Sequence, residues 1–221
     1  NGNGLLQNHM KKLIHQHRRD ENIMKFIRHM DQKDDIFQKA FSLYQVSFPE
    51  KEQRSLDDHI RALADPRFFC ETIWEGEQFC GFIFYWELSG FQYIEHLAIE
   101  PSLRGSGIGS RCLEEFCKRN QKIVLEIDPP IDDISIRRKS FYERLGFHYN
   151  GYYYIHPSYQ KGCTPHQLLI LSWPKPITEE EYRTFIRDMW EIVMLYSQNS
   201  ASVGECRTPL SEKVYPYSKN S

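Results

Sequence analysis

The chain has 221 residues, 40% of them hydrophobic and 26% charged, which suits one globular domain with extensions. A formal net charge of -2 excludes a general nucleic-acid binder, which would carry a strongly basic face, and no run approaches the ~18 apolar residues of a membrane span. Six cysteines stand scattered in largely apolar segments without C-x-x-C spacing, a pattern that predicts reduced thiols, no metal site and a cytoplasmic protein.

The first 33 residues are locally basic and read as a solvated lead-in; residues 1–23 lack clear patterning and read as a leader or extension. Residues 25–29 alternate weakly and suit a short strand. Phe37, Phe41, Tyr44 and Phe48 fall at helical spacing, and Pro49 ends that helix. Ser55, followed three residues on by Asp58, predicts a second helix whose buried face is Leu56, Ile60 and Leu63. Two β-rich runs, 68–74 and 79–88, joined by "EGEQ", form a hairpin, and a third strand covers 93–99. The pattern then changes to strand, glycine loop, helix from Ile108 to Arg119, strand 122–127, helix 135–146 and strand. That βαβ character implies a mixed sheet.

Residues 152–156 and 166–173 read as an antiparallel pair of strands. Pro174 and Pro176 break the chain, and a capping box of Thr178 and Glu181 starts a helix predicted to run to about Tyr196. Its apolar stripe (Tyr182, Phe185, Ile186, Met189, Val193) predicts packing on the parent domain. The expected organisation is a domain at 24–173, a C-terminal helix at 174–197 and a loose polar tail at 198–221. The expected fold class is α/β (α+β), with a mixed, mostly antiparallel central sheet flanked by helices.

The glycine loop carries the chemistry. Gly105, Gly107 and Gly109 let a ligand approach unsatisfied helix-start amides without a Cβ in the way, and Arg104 adds a full positive charge. A P-loop would end Gly-Lys-Ser/Thr, whereas this loop ends Gly109-Ser110-Arg111. A dinucleotide fingerprint would need G-x-G-x-x-G, which is out of register here, although Glu126 and Asp128 lie near where a ribose-binding acid is expected. The third reading is a loop for the diphosphate of coenzyme A.

Residues 97–113, "LAIEPSLRGSGIGSRCL", resemble the acetyl-CoA motif of the GNAT superfamily of N-acetyltransferases, Q/R-x-x-G-x-G/A, with Arg104, Gly107 and Gly109 in its defining positions. "SFYERLGF" at 140–147 resembles the family's following helix motif, and the resemblance spans about residues 25–173. Many members carry Asn and Ala where this chain has Ser135 and Arg138. The resemblance implies acetyl-CoA as cosubstrate and direct transfer of its acetyl group, in a ternary complex, to a primary amine of a small molecule or peptide. No nucleic acid or membrane partner is implied, and the state is monomer or homodimer. It also implies that pantetheine amides pair with the backbone of Leu97, Ala98 and Ile99. The loop Arg104, Gly105, Ser106, Gly107, Ile108, Gly109 and Ser110 then holds the diphosphate. A non-catalytic acyl-CoA-binding module is the rival reading.

Acetyl transfer to an amine needs a neutral amine, donors for an oxyanion and a proton for the leaving thiolate. Glu95, on the strand feeding the loop, is the candidate base, and Tyr93 would orient a water. Strict alternation puts Tyr93, Glu95 and Leu97 on one face, and His96 on the other unless a bulge turns it. Tyr142, which the resemblance sets beside the coenzyme sulfur, is the candidate general acid, with Arg138 and Lys139 expected to lower its pKa. Trp74, Tyr85, Trp86, Tyr152, Tyr154, His156 and Tyr159 are candidates for the substrate pocket or for the sheet core.

Overall fold

A computed structural model describes residues 23–199, so almost all of the expected leader and tail, and Cys206, lie outside the described residues. The chain opens with β1 (Met24–His29) and α1 (Asp35–Ser47), then α2 (Leu56–Leu63) and a meander of β2 (Phe68–Glu75), β3 (Gln78–Leu88) and β4 (Phe91–Ile99). It continues with α3 (Ile108–Arg119), β5 (Ile123–Ile127), α4 (Asp133–Arg144), β6 (His148–Asn150), β7 (Ile155–His156), β8 (His166–Gln167), β9 (Leu169–Trp173) and α5 (Glu179–Glu191). Seven strands form one sheet in the order β1-β2-β3-β4-β5-β9-β6, and β7 and β8 form a separate ribbon. Among the described residues only β4 and β5 run parallel; the other pairs are antiparallel. This is the mixed, mostly antiparallel sheet that the switch from meander to βαβ patterning predicts.

Period-two alternation splits the core in two. On β3, Phe82, Phe84 and Trp86 point to one layer, with Phe37, Tyr44, Phe185 and Met189 of α1 and α5. Ile83 and Tyr85 point to the other, with Leu113 and Phe116 of α3. The α5 stripe Tyr182, Phe185, Ile186, Met189 and the following Val193 is buried as expected. Each such side chain contributes about 1.5–3 kcal/mol by leaving water. Phe185 meets the rings of Phe91, Tyr93 and Tyr154, which joins α5 to the functional strands.

The local signals at helix ends act as their chemistry requires. Thr178 and Glu181 form the reciprocal capping box, and α1 stops at Phe48, held extended ahead of Pro49. Three expectations are corrected. The buried face of α2 is rotated: Leu63 is buried as expected, but Leu56 is 46% exposed and Ile60 only partly buried, and His59 and Ala62 point inward instead. The helix beginning after Thr178 ends at Glu191, and Val193–Tyr196 tightens into a 3-10 turn. Residues 152–156 and 166–173 do not form one long pair. Only Ile155–His156 and His166–Gln167 pair together, while Leu169–Trp173 inserts between β5 and β6, where both its edges find partners.

Candidate active site

The β4–β5 pairing covers only Gln92↔Ile123, Tyr93↔Val124 and Ile94↔Leu125. Beyond it, β4 stays with β3 and β5 stays with β9, so the two strands part. The gap opens into a cleft of about 590 Å³, walled by Leu97, Ala98 and Ile99 of β4, by Glu126 and Ile127 of β5, and by Phe141 and Tyr142 of α4. Its far end is the glycine loop: Arg104, Gly105, Gly107, Gly109 and Ser110. Backbone polar groups along the parted edges lack the ladder that would normally satisfy them, so a ligand with amides has partners waiting. On the outer side of β4, Gly81 allows a close approach, since a Cβ there would stand 2.1 Å from the Ala98 carbonyl oxygen.

Gly107 is the N-cap of α3 with φ 84°, and Gly105 has φ 79°; both conformations favour glycine. Apart from their own chain neighbours, no atom of the described residues lies within 4 Å of where their Cβ atoms would stand. The N–H groups at the start of α3 have no acceptor within the helix, and the helix dipole adds partial positive charge. Together with Arg104 these fit an anion. The Arg104 Nε–H donates to the Ile99 carbonyl at 3.1 Å, which ties the loop to the end of β4. Two expected loop residues offer no side chain to a ligand. Ser106 spends its hydroxyl on the Leu103 carbonyl at 2.6 Å, and the Ile108 side chain is buried in the core layer shared with Leu113 and Phe116, leaving only backbone.

Strict alternation along β4 does not hold. Phe84 pairs with His96 and Tyr85 with Ile94, so Glu95 is the extra residue of a β-bulge. Tyr93, Glu95, His96 and Ala98 therefore share the face toward α1, α2 and α5. Leu97 falls on the opposite face with Ile94, against expectation, and His96 is turned to the side of Glu95.

The Glu95 side chain is 1% exposed and has both oxygens engaged: Arg54 in an ion pair, Trp86 Nε1–H at 3.1 Å and Tyr159 O–H at 2.5 Å. Burial is the largest single influence and raises its pKa, but Arg54, His96 and the hydrogen bonds from Arg54 and Tyr159 together outweigh it, and the carboxyl sits at about 2. A carboxylate that weak accepts protons poorly. Arg54 is the hub of the arrangement: its other N–H groups donate to the carbonyls of Tyr196 and Val193 at 2.9 and 3.2 Å. His96, pushed by burial to about 4, is neutral, with Nε2 against the Glu52 carbonyl at 3.0 Å.

Tyr142 lines the cleft, as expected, but its pKa moves the other way: burial pushes the phenol up and Arg138 offsets this only in part. Arg138 is taken by Asp128 at 2.6 Å and Lys139 by Glu143 at 2.5 Å. A phenol held protonated is a proton donor. Ser135, in place of the family's usual Asn, closes a capping box with Asp132. Tyr93 lies outside the cleft lining; burial pushes its phenol well up, and its hydroxyl donates to Glu126 Oε2 at 3.1 Å.

Adjoining the cleft is a second, smaller pocket of about 60 Å³, lined by Phe48, Glu52, Tyr93, His96, His156 and Tyr159 among others. Glu95 and Glu126 line both cavities. Of the aromatic candidates, His156 and Tyr159 line it, while Tyr154 contacts His156 and Trp86 donates to Glu95 from outside the lining. Trp74 instead packs on Phe79, Tyr85 on Phe69, and Tyr152 on Tyr182. Glu126 was legible only as a possible ribose-binding acid; a charged residue at the end of the apolar run "IVLEI" is the signal that marks it. Among the described residues no group of His, Cys, Asp or Glu is placed to hold a metal ion. No helix there is long and apolar enough to cross a membrane.

The model of the acetyltransferase (GNAT) family matches residues 35–147, from the first residue of α1 through the helix motif of α4. The chain belongs to the GNAT acetyltransferase family. It is an acyltransferase whose cosubstrate is acetyl-CoA. It is 28% identical over 153 residues to YjbC of Bacillus subtilis (strain 168), a protein named as a candidate acetyltransferase, covering 67% of this chain and 78% of the relative. A solved GNAT-family structure from Bacteroides thetaiotaomicron superposes with a TM-score of 0.73 at 28% identity, over 77% of this chain and 98% of that one. The ribosomal-protein-S18-alanine N-acetyltransferase of Escherichia coli shares the fold at a TM-score of 0.50 and 15% identity, over 71% of this chain and 96% of that one.

Proposed function

We propose that this acetyltransferase transfers the acetyl group of acetyl-CoA to a primary amine of a small molecule or peptide, directly, within a ternary complex. The observation that carries the reading is the parting of β4 and β5. It opens a gap in the sheet at which the cleft and a smaller pocket bearing carboxylates and histidines share Glu95 and Glu126. Coenzyme in the cleft would set its diphosphate on the amides of Gly107, Ile108, Gly109 and Ser110 beside Arg104 and Gly105. Ser106 shapes that turn. Its pantetheine amides would pair with the backbone of Leu97, Ala98 and Ile99, and an N–H of that strand would polarise the thioester carbonyl. The amine enters from the smaller pocket and attacks the carbonyl carbon.

In this reading Tyr142 gives a proton to the departing sulfur. Glu95, kept ionised and neutralised by Arg54, fixes the bulged strand that lines the site and leaves the amine's proton to another group. Tyr93 orients Glu126. The five described cysteines are free, which accords with a reducing, cytoplasmic setting. The test is thiol release from acetyl-CoA against a library of primary amines and amine-terminated peptides. Amine-dependent release with an N-acetyl product by mass spectrometry is expected. Coenzyme binding with no amine, large or small, giving product would sink the reading.

A further inference from the structure

If the amine arrives protonated, something other than Glu95 must take its proton. Glu126 stands on β5 just past Leu125, the last residue of that strand paired with β4, where the strands part. Its side chain is 6% exposed, and it lines both cavities. Oε2 is held from two sides, by Tyr93 O–H at 3.1 Å and by His156 Nδ1 at 2.9 Å. Oε1 is buried and has no hydrogen-bond partner among the described residues. A buried carboxylate oxygen without a donor is costly, and native proteins keep one where a ligand or a reaction step uses it. His156 is itself held, with Tyr154 O–H at 3.2 Å from its Nδ1 and the Tyr159 ring at 5.1 Å. The contrast with Glu95 is complete, since both oxygens of Glu95 are occupied.

We infer that Glu126 is the proton acceptor for the incoming amine, with His156 as the residue that positions it. This rests on the amine-acetylation reading above. The substrate ammonium donates to Oε1 and passes its proton to the carboxylate. The freed lone pair forms the N–C bond at the thioester carbonyl, and the C–S bond breaks. Tyr142 protonates the leaving sulfur and recovers a proton, through solvent, from the second N–H of the attacking nitrogen. Glu126 returns its proton to solvent as the amide leaves.

The experiment compares wild type, Glu126→Gln, Glu95→Gln, His156→Leu and His156→Gln. The probes are a panel of primary alkylamines and their difluorinated analogues, whose ammonium forms give up the proton near neutral pH. Coenzyme A affinity is measured in parallel as the control for folding. Glu126→Gln is expected to bind coenzyme normally and to lose about a hundred-fold or more in turnover on alkylamines. It should lose far less on the fluorinated analogues, which need no base. His156→Leu should show the same amine-selective loss, and His156→Gln, which keeps a donor, should recover part of it. Glu95→Gln should slow both amine classes alike. Equal losses on both classes for Glu126→Gln, or full turnover in that variant, would overturn the assignment while leaving acetylation intact. A wild type that binds coenzyme and acetylates no amine would overturn the functional reading and this assignment with it.

Discussion

Arg54 and Glu95 form a buried ion pair beside the cleft. Both are 1% exposed, and neither charge survives burial without the other. Arg54→Met strands the carboxylate and is expected to cost about 3–5 kcal/mol in urea unfolding. Adding Glu95→Met should restore much of that loss. A double variant no more stable than the single one would show that the pair contributes more than mutual neutralisation. Tyr142 gives a second residue-scale prediction. Its phenol is held protonated by burial, so Tyr142→Phe should lower turnover about a hundred-fold or more while coenzyme Kd stays put. An unchanged turnover would remove it from the chemistry. Neither the Arg54 contact nor the direction of the Tyr142 shift was legible in the sequence. Arg54 lies 41 residues from Glu95 in a loop without periodicity, and charges read one helical turn from Tyr142 turn out to be neutralised by Asp128 and Glu143.

At the scale of elements, sequence patterning carried the meander, the glycine loop, both helices of the βαβ half and the α5 capping box, because period and caps are local properties. It failed where one inserted residue shifts a face. The β4 bulge at Glu95 carries no residue signature, yet it moves Leu97 to the other face and brings His96 round. The face of α2 was misjudged because His59 outranks Leu56 for burial only once Phe37, Phe41, Phe68 and Phe84 surround it. The loop itself yields a clean separation of fold from binding. A Cβ on Gly109 would meet Ile99 and Phe141 only at ordinary contact distances of 3.5 and 3.9 Å. Gly109→Ala should therefore leave unfolding free energy unchanged or slightly raised, as expected for Ala in a helix. Coenzyme Kd should nevertheless rise about tenfold, equivalent to about 1.4 kcal/mol. Unaltered affinity by calorimetry would mean that no ligand comes close to that amide.

For the whole molecule, the buried histidines set an acid limit. Burial holds His59 at about 3 and His96 at about 4, both below the ordinary 6.5. As pH falls below 6.5 the unfolded chain takes up protons that the folded one refuses. Stability is then lost down to about pH 3 for His59 and about pH 4 for His96, with a limiting slope of about 1.4 kcal/mol per pH unit from each. His59→Leu should flatten the decline in Tm between pH 6.5 and 4; an unchanged slope would show that His59 does not titrate on unfolding. The folded chain also leaves strand edges for the coenzyme to complete, so acetyl-CoA at a hundred times Kd should stabilise it by about 2.7 kcal/mol. The central claim is that one gap between β4 and β5 joins a diphosphate grip to a polar acceptor pocket. A crystal structure with acetyl-CoA bound tests it most directly. The account predicts phosphoryl oxygens on the amides of residues 107–110 and the thioester lying between Ala98 and Glu126. Coenzyme seated elsewhere, with the β4–β5 gap closed or filled by protein, would contradict it.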